Sequence, residues 1–451
     1  MRASARRPLF AAVTAFALAV TWSPAAQATP HHGVPGDQPL PGYTISNPPL
    51  APATVHGRTS TVRQGVTGHA AYDIEVPPRW NGKLVLWAHG YRGNGTTLTV
   101  DTPGYGLRQR LLNQGYAWAS SSYYDNGYDV RAGVLSTAHL ANYFARHVAR
   151  PRQRLIAGVS MGGHIIGRSL EQFPRFYSGA LPMCGVLGDN ALFDEILDYN
   201  LVAQDLAGVR AYPVPADYMT VDVPKIEAAL GLTGLTPTGP DTTNARGKQL
   251  RAIWTNRTGG PRPGAKAAFA TWKDFPFSLA VPSGGTSVAA DPGQVATNVG
   301  RRYVPNRPVN VNRTIQRVRV RNPRARYSHA LTQSPRIRGV PRVPVLSLHG
   351  IGDGFVPFSM EEIYGKEARR HHESRLVVQR AIRTAQHCEF SDVEVGNAWD
   401  ALRHWVGTGH RPAGDRVTSP HAVARENFGC RFSDPAAYEA GTGTRRLFPA
   451  C

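Results

Sequence analysis

Between residues 70 and 184 short apolar runs alternate with stretches of helical periodicity, and this rhythm leaves the chain few folds to adopt. "KLVLWAHG" (83–90), "YAWASSSY" (116–123), "RLIAGVS" (154–160) and "SGALPMC" (178–184) read as buried strands. The segments 104–115, 132–148 and 161–173 between them read as helices, with Val134, Leu135, Leu140 and Phe144 on one face of the second. Strands that are apolar throughout belong to a sheet covered on both faces. Strands separated by helices pair in parallel through right-handed crossovers. "AAYDIEVP" (70–77) adds an alternating strand, and Asn81-Gly82 after it predicts a tight hairpin into the strand at 83–90. The rhythm stops near Asp189 and resumes with a strand at 343–350, a helix over Glu361–His372, a strand at 374–382 and a last helix over 391–406.

The fold class expected is therefore α/β, with a mostly parallel central sheet flanked by helices. The core occupies 61–189 and 341–406. An insertion of lid or cap size, 190–340, lies between the sixth and seventh core strands. Residues 29–60, rich in Pro, Gly and Thr, read as an extended N-terminal arm, and 407–451 as an irregular C-terminal tail. The first 28 residues have the form of a secretory signal peptide. Arg2, Arg6 and Arg7 make a basic start, Leu9–Val20 is apolar, and Ala26-Gln27-Ala28 offers a cleavage site after Ala28. The expected location is extracellular, without a stable membrane anchor once the leader is removed.

Four cysteines in an exported chain imply two disulfides, with three connectivities open. Cys430 and Cys451 share the tail; pairing them leaves Cys184 with Cys388. No CxxC or His/Cys spacing points to zinc. The formal charge is +20, or +17 without the three leader arginines. Such a balance suits a polyanion, but six lysines among 51 basic residues and an exported location argue against nucleic acid. The one dense cluster, Arg313–Arg326, reads as a solvated strand or loop face.

Chemistry concentrates at Gly158-Val159-Ser160-Met161-Gly162. A serine flanked at ±2 by glycine, between a strand and a helix, fits a sharp turn that lifts its hydroxyl out of the backbone. That hydroxyl needs a base, a group to orient the base, and donors for an oxyanion. His387 in "TAQHCEFS" is the expected base, because it alone among 16 histidines lies in a loop between the last strand and the last helix. Asp353 in "LSLHGIGDGFVP" is the expected acid, beyond a strand at the sheet's carboxyl edge and among turn-forming glycines. Asp189 competes for that role, with a hinge or capping role favoured. The expected oxyanion donors are the backbone N–H groups of Met161 and Tyr91. His89 and His164 are read as structural, and His371 and His372 as solvated.

Taken together, "WNGKLVLWAHGY", "GVSMGG", "HGIGDGFVP" and "QHCEF" resemble the α/β-hydrolase superfamily, in particular its secreted bacterial esterases and related serine peptidases. The resemblance covers about 70–189 and 341–406, and the order Ser160, Asp353, His387 is that of the superfamily. It implies acyl transfer to water through an acyl-enzyme, with no metal or organic cofactor. "WNGKLV" and the cysteine after His387 are also similar to tannase and feruloyl esterase proteins. In those a cysteine precedes the nucleophile, whereas here Val159 does, so the partner of Cys388 must come from elsewhere, with Cys184 the candidate. The expected activity is hydrolysis of a small-molecule or polymer ester. Two alternatives stand beside it: a peptidase or amidase with the same three residues, and a non-enzymatic binder of cell wall or polyanion. An acidic pocket involving Glu195 and Asp198 is the mark of a peptidase; an apolar one from Leu192, Phe193, Leu197 and Tyr199 is the mark of an ester with an apolar acyl part. The sequence does not set the oligomeric state.

Overall fold

The structure is a computed structural model that describes residues 35–284 and 287–451. The leader expected at 1–28 and the first residues of the arm lie outside these.

Eight strands form the central sheet: β1 (Thr61–Thr67), β2 (Ala70–Val76), β3 (Lys83–Ala88), β4 (Ala117–Ser121), β5 (Gln153–Val159), β6 (Gly179–Met183), β7 (Val345–Gly350) and β8 (Val377–Ile382). Their order across the sheet is β1-β2-β4-β3-β5-β6-β7-β8. From β4 to β8 every neighbouring pair is parallel, while β2 runs antiparallel to both β1 and β4. Alternation along a strand splits the core between two faces. In β3, Leu84, Leu86 and Ala88 pack into one apolar cluster and Val85 and Trp87 into the other. Helices α2 (Val130–His147) and α3 (Met161–Gln172) bury their apolar stripes on the first face. Helix α1 (Leu107–Asn113) covers the second.

The expected hairpin at Asn81-Gly82 does not form. β4 lies between β2 and β3, so these two strands are not neighbours. The turn directs the chain into β3 instead, with the Asn81 side chain accepting from Lys83 N–H and its own N–H donating to Gly115. The actual hairpin is β1–β2, through Gly68-His69. The β1 segment "TVRQGVT" has only intermediate burial, which is why its alternation reads weakly. In the described part of the arm, Thr44–Ser46 runs parallel to Thr97–Thr99 of the core, and Thr54–Val55 forms a small hairpin with Arg58–Thr59 of the arm itself.

The chain between β6 and β7 is largely helical: α4 (Ala191–Ala207), α5 (Tyr218–Leu230), α6 (Ala245–Arg257), α7 (Ala265–Trp272), α8 (Phe275–Ala280), and two short turns, α9 (Val311–Thr314) and α10 (Pro323–Tyr327). α4 packs against α5, α6 and α8. An ionic network ties the irregular segment after α8 to it. Arg326 grips both oxygens of the buried Asp194 at 2.8 Å, Arg301 adds a contact at 3.2 Å, and Asp198 meets Arg257 at 2.7 Å. The arginine cluster is thus only partly a solvated face. Arg326 is largely buried against Asp194, and Arg317 donates to the carbonyls of Asn298, Arg301 and Asn312. Arg321 does face solvent, paired with Asp291.

After β7, helix α11 (Ser359–Arg370) leads to β8, and α12 (Asp392–Thr408) starts at a capping box of Ser391 and Glu394 and packs on the same face as α1. The tail returns to the core through Arg445, buried and bidentate to Glu394. The disulfides are Cys184–Cys388 and Cys430–Cys451. No helix of the described residues is long and apolar enough to cross a membrane.

Candidate active site

Ser160 lies between β5 and α3 as the helix's N-cap, with φ 58° and ψ −123°. Few residues with a side chain adopt that conformation, and it is held from several sides. Ser160 N–H donates to Met183 O at 3.0 Å, and its carbonyl accepts from Gly163 and Val186. The two flanking glycines are explained by one neighbour: a Cβ at Gly158 or at Gly162 would collide with the carbonyl of Ala88 at the end of β3. The spacing is thus set by how closely β3, β5 and α3 approach one another.

Around this turn three distant segments converge. Ser160 Oγ is 2.8 Å from His387 Nε2, and His387 Nδ1 is 2.7 Å from Asp353 Oδ2. Asp353 is fully buried, and its other oxygen accepts from the N–H groups of Phe355 and Val356 at 2.9 and 3.0 Å. A carboxylate on Nδ1 fixes the imidazole with its proton there and leaves Nε2 free to accept from the serine hydroxyl. The loop carrying His387 is anchored from three directions. Tyr105 donates to Cys388 O (2.8 Å), Trp272 of the insertion donates to Ala385 O (2.7 Å), and Thr444 of the tail accepts from Ala385 N–H (2.6 Å). The Cys184–Cys388 disulfide ties the same loop to the end of β6, with Cys388 Sγ 3.3 Å from His387 Nε2. Cys184, His387 and Cys388 lie close enough to hold an ion, but both sulfurs are bonded to each other and offer no thiolate.

The Met161 N–H opens α3, and the Tyr91 N–H lies in the loop after β3. Among the described residues neither donates to another protein group. A Cβ on Gly90 would come to 3.0 Å from Ser160 Cβ, so the backbone entering Tyr91 lies against the serine. Helix starts present unpaired N–H groups and positive potential, the environment an oxyanion needs.

The other sequence candidates fall elsewhere. Asp189 is half-buried, with its pKa pushed by desolvation up to about 6, and accepts from the N–H groups of Asn190 and Ile337. It joins the two ends of the insertion and makes no hydrogen bond with His387. His89 is buried, stacked on Tyr123 and bonded to Gly90 O. Burial holds its pKa near 3, so it is neutral. His164 bridges Tyr128 and Pro335 from inside the core. His371 and His372 lie past the end of α11, the first half-buried and the second exposed. Glu195 and Asp198 are engaged by Arg257 and do not line the cavity at Ser160. That cavity, about 60 Å³, is apolar, with Leu192, Phe193 and Ile196 of α4, Val186 and Leu279 among its walls. Of the four apolar residues singled out in the sequence, Leu192 and Phe193 line it, whereas Leu197 and Tyr199 do not.

One pair behind the site escapes sequence reading. His349, at the end of β7, is fully buried; its Nε2 donates to Val356 O at 2.8 Å and its Nδ1 faces Glu361 Oε1 at 3.4 Å. Burial disfavours the imidazolium, but the negative charge of the neighbouring Glu361 outweighs it and raises the pKa above the ordinary value. Val356 thus couples the pair to Asp353: its carbonyl accepts from His349 while its N–H donates to Asp353. The signal was the histidine of "HGIGDG", but nothing in the sequence marks Glu361 as its partner.

Strand order, the strained serine turn and the strand-end loops carrying Asp353 and His387 make this an α/β-hydrolase fold. Solved structures similar to the chain include an esterase from Aspergillus oryzae (13% identity, TM-score 0.43, covering 78% of this chain and 81% of that one). Feruloyl esterase B from Aspergillus oryzae is similar too (13%, 0.44, 78% and 82%). So is Pyrococcus horikoshii acylaminoacyl peptidase, of which the match covers 38% (11%, 0.36, 73% of this chain). No protein-family model and no curated protein matches the chain by sequence.

Proposed function

We propose that the protein is a secreted serine hydrolase that cleaves carboxylic esters through an acyl-enzyme. The observation carrying this reading is the continuous hydrogen-bonded chain from Ser160 through His387 to the buried Asp353, at a serine turn beside two N–H groups with no protein partner. In this reading His387 takes the hydroxyl proton as Ser160 attacks the carbonyl, and Asp353 holds the tautomer and stabilises the imidazolium. The N–H groups of Met161 and Tyr91 receive the oxyanion. His387 returns its proton to the departing alcohol, then activates the water that releases the acid. The chain's own groups supply each of these roles, and the reading calls on no cofactor.

The apolar cavity beside Ser160 favours an ester with an apolar part, and the capture of Glu195 and Asp198 by arginine removes the acidic recess that a substrate amine would need. The insertion acts as the cap in this reading, since α4 and the segment after α8 supply the cavity's far walls. Export is supported by two disulfides and the leader-like first 28 residues. A panel of p-nitrophenyl esters, aryl esters, polyester oligomers and aminoacyl anilides tests substrate class. Ester turnover abolished by Ser160→Ala is the expected result; turnover of the anilides alone would replace the esterase reading with a peptidase one.

A further inference from the structure

The 60 Å³ cavity at Ser160 has a larger neighbour of about 240 Å³ inside the insertion. Ile196 and Pro292 line both, so one α4 side chain and one proline separate them. Beyond this partition the larger cavity is walled by Leu197, Tyr212, Val214, Ala280 and Val318. Its polar lining is already engaged. Asn200 donates to the carbonyls of Ile196 and Pro276 and accepts from Tyr218, and Asp291 is paired with Arg321, whose side chain is more than half exposed. The walls therefore favour an apolar occupant, with the ion pair on the side that meets solvent.

The direction of the ester follows from the chemistry. The cavity at Ser160 is lined by Ser160 and Tyr91 but, among the described residues, not by His387. The alcohol leaves towards the imidazole that protonates it. The cavity, walled by Ser160 and Tyr91 without His387, is then assigned to the acyl group.

We propose that the 240 Å³ cavity is the distal half of the acyl subsite, built to take the aliphatic end of an acyl chain, and that Ile196 sets how far the chain reaches. This deepens the esterase reading and rests on it. A dry cavity of about 150 Å³ holds one benzene, roughly 25 Å³ per carbon. The proximal cavity then has room for about two or three carbons and the distal one for about nine or ten. With Ile196 in place the preferred acyl groups are short, near butyryl. Ile196→Ala removes the three outer carbons of the partition and joins the two spaces.

The test is kcat/KM for p-nitrophenyl esters from acetate to decanoate. Ile196→Ala should raise the ratio of octanoate to butyrate at least about tenfold. Ile196→Val, a milder change that keeps the helix packed, should move it in the same direction by a few-fold. Adding Val214→Phe, which fills the distal cavity, should return the Ile196→Ala ratio towards the starting value. An unchanged ratio in both Ile196 variants, with butyrate still hydrolysed, overturns the subsite and leaves the esterase reading intact. Failure of the unaltered protein to hydrolyse any ester of the series overturns both.

Discussion

Histidine 164 sits one turn beyond Ser160, fully buried, with Nε2 2.6 Å from Pro335 O and Nδ1 2.9 Å from the Tyr128 hydroxyl. A carbonyl only accepts, so Nε2 carries the proton and Nδ1 accepts from Tyr128. Burial holds the pKa at about 4, whereas an unfolded histidine titrates near 6.5. Below about pH 6.5 the unfolded chain therefore binds a proton that the folded chain does not, and stability falls with pH until the folded value is reached. The slope is about 1.4 kcal/mol per pH unit, so going from pH 7 to pH 5 costs about 2 kcal/mol at this residue. His89, held near 3, adds a loss of the same sign, while Asp189 and Glu195, raised by burial, contribute the opposite sign. The pH profile of the unaltered protein mixes these, but His164→Gln isolates one. A glutamine amide can donate to Pro335 and accept from Tyr128 without titrating. Urea unfolding at pH 7, 6 and 5, with disulfides intact, should show the stability gap between the two proteins shrinking by about 2 kcal/mol on going to pH 5. Parallel losses in both would refute the assignment of a buried neutral His164.

Other consequences are as direct. Arg326→Met leaves the buried Asp194 with Arg301 and the Thr297 N–H, and should cost about 3 kcal/mol in denaturant unfolding; adding Asp194→Leu should recover most of it. Replacing Cys184 and Cys388 by serine opens a bridge 204 residues apart in sequence, worth up to about 5 kcal/mol on the chain-entropy estimate. It should also lower kcat more than it raises KM, because Cys388 follows His387. His349→Phe removes the partner of Val356 O, and should lower kcat per folded molecule by roughly ten- to a hundredfold at nearly constant KM through displacement of Asp353; an activity loss matched by the loss of folded protein would assign His349 to folding alone.

The parallel sheet was readable because burial on both faces leaves strands such as 83–90 and 154–160 almost wholly apolar. The serine turn was readable because steric contact with Ala88 demands glycine at 158 and 162, which leaves a pattern local in sequence. The edge hairpin β1–β2 was not readable, since half-exposed residues carry little alternation and Asn81-Gly82 signals a turn without naming the strand that follows as its partner. The insertion was legible as a break in rhythm, but not in its arrangement. Its packing depends on pairs such as Asp194 with Arg326, which lie 132 residues apart, so either residue alone reads as a surface charge. Glu361 was missed for the same reason: in sequence it is an acidic residue in the first turn of a helix, and only folding places it beside His349.

The central claim is that Ser160 is a nucleophile activated by His387. Intact-mass and peptide mass spectrometry after exposure to a fluorophosphonate tests it most directly. The expected result is a single adduct on Ser160, lost in Ser160→Ala and strongly slowed in His387→Ala. A protein that stays unmodified at reagent concentrations that label serine hydrolases, or one modified at another residue, would contradict it.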